Sequence, residues 1–179
     1  MLQPNKQKIY KEISKCASDF AYFAEQHIRI IDISGKETNL VLNEAQRRIV
    51  KSVTKNPHLM ILKARKLGST TVIAAFFLWK ALFNKNNRIA VVAHTDDAAR
   101  AIFQIYQFMY ANLPTELKIP AEKNRHNELK LKTGSQIRVG SAASEGFRGQ
   151  TYQYIHASEY AFWPNLEKSI AALFGTADA

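Results

Sequence analysis

A chain of 179 residues, 46% apolar and 22% charged, is about one domain's worth and can bury a sizeable core. Its 25 Lys and Arg against 15 Asp and Glu leave a net charge of +10, which favours a polyanionic partner, nucleic acid before an acidic membrane surface. One cysteine excludes a disulfide framework and a cysteine metal cluster; no signal-type apolar core opens the chain and no run approaches the roughly 18–20 apolar residues of a membrane span, so the expected compartment is the cytoplasm.

In chain order, residues 5–27 are helical in character, with Ile9, Ile13, Phe20 and Phe23 among the apolar positions. IRIIDISGKETNLVL (28–42) reads as two short strands around the turn SGKE, and NEAQRRIVKSV (43–53) as a helix capped by Asn43 and closed by Pro57. HLMILKA (58–64) is an apolar run of strand length. STTVIAAFFLWKALF (69–83) is apolar nearly all round, as a buried helix is. RIAVVAH (88–94) is a second strand-like run, and Ala98, Ala101, Ile102, Ile105, Phe108 and Met109 mark one face of a helix ending near Leu113-Pro114. This alternation predicts an α/β unit with a parallel sheet. NELKLKTGSQIRVGS (127–141) interrupts it as an antiparallel hairpin about Thr133-Gly134. YQYIHAS (152–158) is a further strand, and Pro164 opens a last helix through Phe174.

At the junction of the predicted strand 58–64 and the buried helix stands KARKLGSTT (63–71). A phosphate-binding loop follows a strand, turns on glycine and opens a helix, so that backbone N–H groups converge on the phosphates. Gly68 has that position, and Thr70 falls where the Mg²⁺-binding hydroxyl is found in G-x-x-x-x-G-K-[ST]. Ala64 replaces the first glycine of that pattern and Ser69 its lysine. A triphosphate needs cations, and Lys63, Arg65 and Lys66 lie just upstream, where a long side chain can fold back over the phosphates. The competing reading is a plain strand–helix turn with basic residues in solvent.

Further along, YIHASEYAFW (154–163) is an apolar strand ending in Ser158-Glu159. A carboxylate there, beside a phosphate loop, can polarise an attacking water. The Asp that usually precedes it and holds Mg²⁺ is replaced by Ser158, which can assist only through a bound water. EGFRGQT (145–151) places Arg148 between Gly146 and Gly149, a loop presenting one guanidinium that can stabilise charge on a transferring phosphoryl group. Each motif alone has a plainer explanation, as an ion-paired strand end or an ordinary glycine loop. Their order and spacing weaken both explanations.

The set resembles the ATPase domain of the large terminase subunit of tailed bacteriophages, the motor that packages DNA, from about residue 20 to the end. LNEAQ (42–46) looks like the adenine-contacting glutamine motif, which implies that Gln46 meets the base. KARKLGSTT looks like the deviant Walker A loop of this family, some members matching Lys63 and others Arg65. VVAHTDDAARAIF (91–103) resembles the segment following the second strand. GFRGQT and SEYAFW match the glycine-flanked arginine and the Walker B ending. The resemblance implies an ASCE-type P-loop NTPase, an α/β fold with a mostly parallel central sheet flanked by helices and incomplete on its C-terminal side. Residues 1–42 would supply the N-terminal helix and adenine-side hairpin, and 43–179 the P-loop core. Lys63 or Arg65, with the loop of Lys66, Leu67, Gly68, Ser69, Thr70 and Thr71, would hold ATP. Thr70 and, through water, Ser158 would hold Mg²⁺. Glu159 would be the catalytic glutamate, and Arg148 an arginine finger acting on a neighbouring subunit.

The implied partners are double-stranded DNA, further copies of the chain in a ring, a portal protein and a small terminase subunit, in the host cytoplasm. The family's later strand, coupling motif and nuclease domain have no counterpart before FGTADA. In that class the later strand separates the Walker A and Walker B strands, so both would lack a neighbour. Two other functions fit many of the same residues: a helicase-type DNA-dependent ATPase, and a non-catalytic basic DNA-binding or assembly module with a degenerate loop. Lys118, Lys123, Arg125, Lys130, Lys132 and Arg138 could serve DNA in any of these, or form a solvated hairpin face.

Overall fold

Asp19 divides the expected N-terminal helix into α1 (Pro4–Ser18) and α2 (Phe20–His27). Its backbone is extended and its carboxylate accepts the Tyr22 N–H at 3.0 Å, so it ends one helix and caps the next. The structure, a computed structural model, describes residues 4–62, 67–143, 145–147, 150–164, 167 and 169. The expected hairpin follows as β1 (Arg29–Ile31) and β2 (Glu37–Asn39), paired antiparallel. Asp32 closes its turn by accepting the N–H groups of Ser34 and Lys36. Then come α3 (Glu44–Val53), α4 (Ser69–Phe83), β3 (Arg88–Ala93) and α5 (Asp96–Ala111). β4 (Ala121–Arg125), β5 (Glu128–Leu131), β6 (Gln136–Ser141) and β7 (Tyr154–Ala157) complete the main elements.

Two compact units emerge, Met1–Trp79 with Phe108–Lys118, and Lys80–Gln107 with Ile119–Ala179. The first is organised around an aromatic cluster. The ring centroids of Phe20 and Phe76 stand 5.2 Å apart, those of Phe20 and Trp79 5.8 Å, and the Trp79 indole N–H donates to the Cys16 carbonyl at 2.8 Å. Glu12 ties α1 to α2, its carboxylate accepting from Tyr22 Oη at 2.9 Å and meeting His27 Nε2 at 2.8 Å. The Cys16 thiol donates to the same carboxylate at 3.7 Å.

The second unit holds a five-stranded sheet in the order β4-β5-β6-β3-β7. β3 is central and pairs in parallel with β6 and β7; Ile89 to Ala93 are buried, as the β-branched run predicts. β5 pairs antiparallel with both β4 and β6, so the sheet is mixed and not mostly parallel. The cause is local: the hairpin at Thr133-Gly134 returns the chain directly, and β4, whose residues 121–125 carry no apolar alternation, adds to its outer side. Ala90, Val92, Phe147, Tyr152 and Trp163 form a core cluster in this unit, with Ile155 and Ala157 packed against it.

The run 58–62 is not a strand. Met60 and Leu62 are exposed, and β7 lies at the sheet edge, paired only with β3 among the described residues. Apolar, β-prone sequence makes a strand only when its backbone groups find a neighbour. The helix expected from Pro164 through Phe174 falls largely outside the described residues.

Candidate functional site

α4 begins directly at the glycine. Gly68 has φ +69°, a left-handed conformation that L side chains resist, and its carbonyl accepts the Val72 N–H at 3.0 Å as the first turn of the helix. The N–H groups of Ser69, Thr70 and Thr71 therefore precede the first intrahelical bond and have no acceptor within α4. Ser69 is buried; Thr70 and Thr71 are half-buried and Leu67 is partly exposed. A glycine turn followed by amides without intrahelical partners is chemically suited to an anion, and the Thr70 hydroxyl to one ligand of a hard cation.

α3 is joined to this loop. Asn43 and Gln46 form a reciprocal capping box: the Asn43 side chain accepts the Gln46 N–H at 2.9 Å, and Gln46 Oε1 accepts the Asn43 N–H at 3.0 Å. Gln46 Nε2 then donates to the Gly68 carbonyl at 3.1 Å. Gln46 is only 5% exposed. Of the predicted nucleotide residues, the structure thus brings Gln46 to Gly68. Lys63, Arg65 and Lys66 lie outside the described residues, as does Arg148.

In the other unit, Glu159 stands just past β7 at φ +52°, ψ +38°; with Asn86 and His126 it makes up the non-glycine residues in the left-handed region among the described residues. The turn is fixed on both sides. Ser158 N–H donates to the Val92 carbonyl at 2.8 Å, extending the β3–β7 pairing, and the Trp163 indole donates to the Ser158 carbonyl at 3.0 Å. Phe162 N–H closes a 3-10 turn (Tyr160–Phe162) on the Glu159 carbonyl at 2.9 Å. The glutamate side chain is 50% exposed, and His94 Nδ1, just beyond β3, is 3.1 Å from its Oε2. That is an ion-pair distance without hydrogen-bond alignment. A backbone held out of its favoured region at the end of a strand is the kind of constraint found where a side chain must be aimed.

His94 is the residue that sequence reasoning passed over. It sits inside VVAHTDD, where no local pattern marks the imidazole; only the parallel pairing of β3 with β7 brings it to Glu159. Of the basic residues offered for DNA, Lys123, Arg125, Lys130, Lys132 and Arg138 lie on or beside the neighbouring strands β4, β5 and β6. Lys118 belongs to the first unit, donating to the Ala111 carbonyl at 2.8 Å. Lys123 pairs with Glu128, and Lys130 with Glu122 at 2.7 Å. Among the described residues no helix is long and apolar enough to cross a membrane.

Two comparisons bear on this arrangement. The crystal structure of the HK97 bacteriophage large terminase is similar in fold, with a TM-score of 0.71 at 18% identity, over 90% of this chain and 36% of that one. The chain thus spans about a third of the length of that solved protein. Residues 60–178 match the family described as terminase large subunit, T4likevirus-type, N-terminal. That stretch contains the glycine loop, His94, Glu159 and the whole mixed sheet, and on it the chain belongs to the terminase large subunit family.

Proposed function

We propose that this chain is the ATP-handling part of a motor that moves double-stranded DNA into a phage capsid. The observation that carries the reading is Gly68 opening α4 in the left-handed conformation, with the next three amides free of intrahelical acceptors. Those amides would receive phosphate oxygens, and the cation missing at Ser69 would come from Lys63 or Arg65. Lys66 and Leu67 lie in the same loop, and Thr71 supplies the last of the three amides. Mg²⁺, when bound, would neutralise phosphate charge; Thr70 would contribute its hydroxyl to it, and Ser158 would assist through water. Glu159 would orient the attacking water, in a turn clamped by Trp163. Arg148 would act on the nucleotide of a neighbouring copy, which calls for a ring of subunits, with a portal protein and a small terminase subunit as further partners. Family membership supports this reading over a helicase or a purely structural DNA-binding module.

The direct test is release of phosphate from Mg-ATP, with and without double-stranded DNA, by the chain and by Glu159→Gln. Turnover that the substitution removes, with ATP still bound, is the expected result. Undiminished turnover would contradict the role given to Glu159.

A further inference from the structure

Gln46 invites a different role from base recognition. A glutamine that reads adenine does so with both ends of its amide, one donating and one accepting. Both ends of this one face the protein. Oε1 accepts the Asn43 N–H at 3.0 Å, Nε2 donates to the Gly68 carbonyl at 3.1 Å, and the residue is 5% exposed. The backbone of Gln46 is committed as well, its N–H donating to the Asn43 side chain. One N–H and one lone pair of the amide remain unused, but with the residue 5% exposed, presenting them to a base would require the side chain to leave its buried place against the loop.

The Gly68 carbonyl is an informative partner. It accepts from Gln46 and from Val72 N–H at once, so that peptide is held from two directions. In a trans peptide the N–H points opposite to the C=O. Holding the Gly68 carbonyl toward α4 therefore aims the Ser69 N–H the other way, out of the helix N-terminus, where an anion would lie. The space beside Gly68 is also filled: a Cβ there would come within 2.6 Å of Gln46 Nε2. The side chain and the glycine thus fit each other closely where the backbone is left-handed.

We infer that Gln46 is a positioning residue for the triphosphate, setting the orientation of the Gly68–Ser69 peptide, and does not select the base. This rests on the reading of the loop as a phosphate site. It makes the end of α3 and the phosphate loop one mechanical piece, with Asn43 as its outer anchor. Binding strength at the loop then depends on Gln46 for any ligand carrying the same phosphates, whatever base is attached.

The test is calorimetric titration of the whole chain and of Gln46→Ala with Mg-ATP, Mg-GTP and Mg-tripolyphosphate. Loss of one hydrogen bond that orients the loop predicts a common weakening of about five- to tenfold for all three. Asn43→Ala, which removes the acceptor of the Gln46 N–H and loosens the capping box while keeping the backbone N–H that holds Oε1, predicts a smaller common weakening and serves if Gln46→Ala proves unstable. Weakening confined to Mg-ATP overturns the inference in favour of base reading. Unchanged binding of all three also overturns it, while leaving the phosphate site standing. A folded wild-type chain that binds none of the three ligands removes the phosphate-site reading and the inference with it.

Discussion

His94 Nδ1 lies 3.1 Å from Glu159 Oε2, and the two residues follow the ends of neighbouring parallel strands, β3 and β7. The pairing carries on past the end of β7, through Ser158 N–H to the Val92 carbonyl, so the position of one side chain is set by the other strand. Glu159 is held in the left-handed region while its carboxylate remains half in solvent. Together these make a carboxylate that is aimed and accessible. Replacing Glu159 with Gln should lower ATP turnover about a hundred- to ten-thousandfold while nucleotide binding survives. Replacing His94 with Ala should lower turnover about ten- to a hundredfold through loss of aim, with less effect on KM. Steady-state phosphate release measures both, and a His94→Ala enzyme with unaltered kcat would show that the pair does not matter.

Gly68→Ala should destabilise the fold more than Gly35→Ala. Both glycines have positive φ, so each substitution meets backbone strain of roughly 1–2 kcal/mol. Beside Gly35 nothing lies within 4 Å, whereas at Gly68 the new Cβ meets Gln46 Nε2 at 2.6 Å. Urea denaturation of the two variants gives the ordering, and equal losses would mean that Gln46 yields freely.

Much of this was legible in the sequence. The N-cap at Asn43, the buried helix at 69–83, the β-branched central strand and the hairpin at Thr133-Gly134 each follow from local chemistry, and each is present. What local chemistry does not carry is pairing. Residues 58–62 are an apolar run of strand length, as β3 is, yet form no strand, because a strand needs a neighbour that no local pattern specifies. β4 was missed for the opposite reason: AEKNR has no apolar alternation and is a strand only because β5 is beside it. His94 was invisible alone, since its meaning comes from Glu159, sixty-odd residues on. The Gln46–Gly68 bond was equally hidden, linking two motifs that had been assigned separate tasks.

A pH dependence is expected at the junction of α1 and α2. The hydrogen bonds from His27, first, and Tyr22 hold the Glu12 carboxyl below its ordinary value of 4.5. A carboxyl depressed in the folded state contributes stability that is complete above its unfolded value and lost as pH falls through the folded one. The stability gap between the wild-type chain and Glu12→Gln should therefore be open at neutral pH and close as pH drops below about 4.5. Its side chain is 40% exposed, so solvent screening keeps the gap modest. Chemical denaturation at several pH values tests this; a gap that widens in acid would contradict it.

Cys16 should be inert toward alkylating reagents in the folded chain. Burial first, and the nearby Glu12 charge second, push its thiol up to about 12, so almost no thiolate exists at neutral pH. Iodoacetamide labelling followed by mass spectrometry should give no adduct under native conditions and a single adduct after denaturation. Rapid native labelling would mean that α1 opens readily.

Binding of ATP at the Gly68 loop is the claim on which the rest depends, and calorimetric titration of the chain with ATP and Mg²⁺ tests it most directly. Saturable binding that weakens on replacing Lys63 or Arg65 with Ala is the predicted result. It would identify the loop as a phosphate site whose cation has moved upstream from Ser69. The absence of any binding by a chain shown to be folded, or binding indifferent to both substitutions, would contradict it.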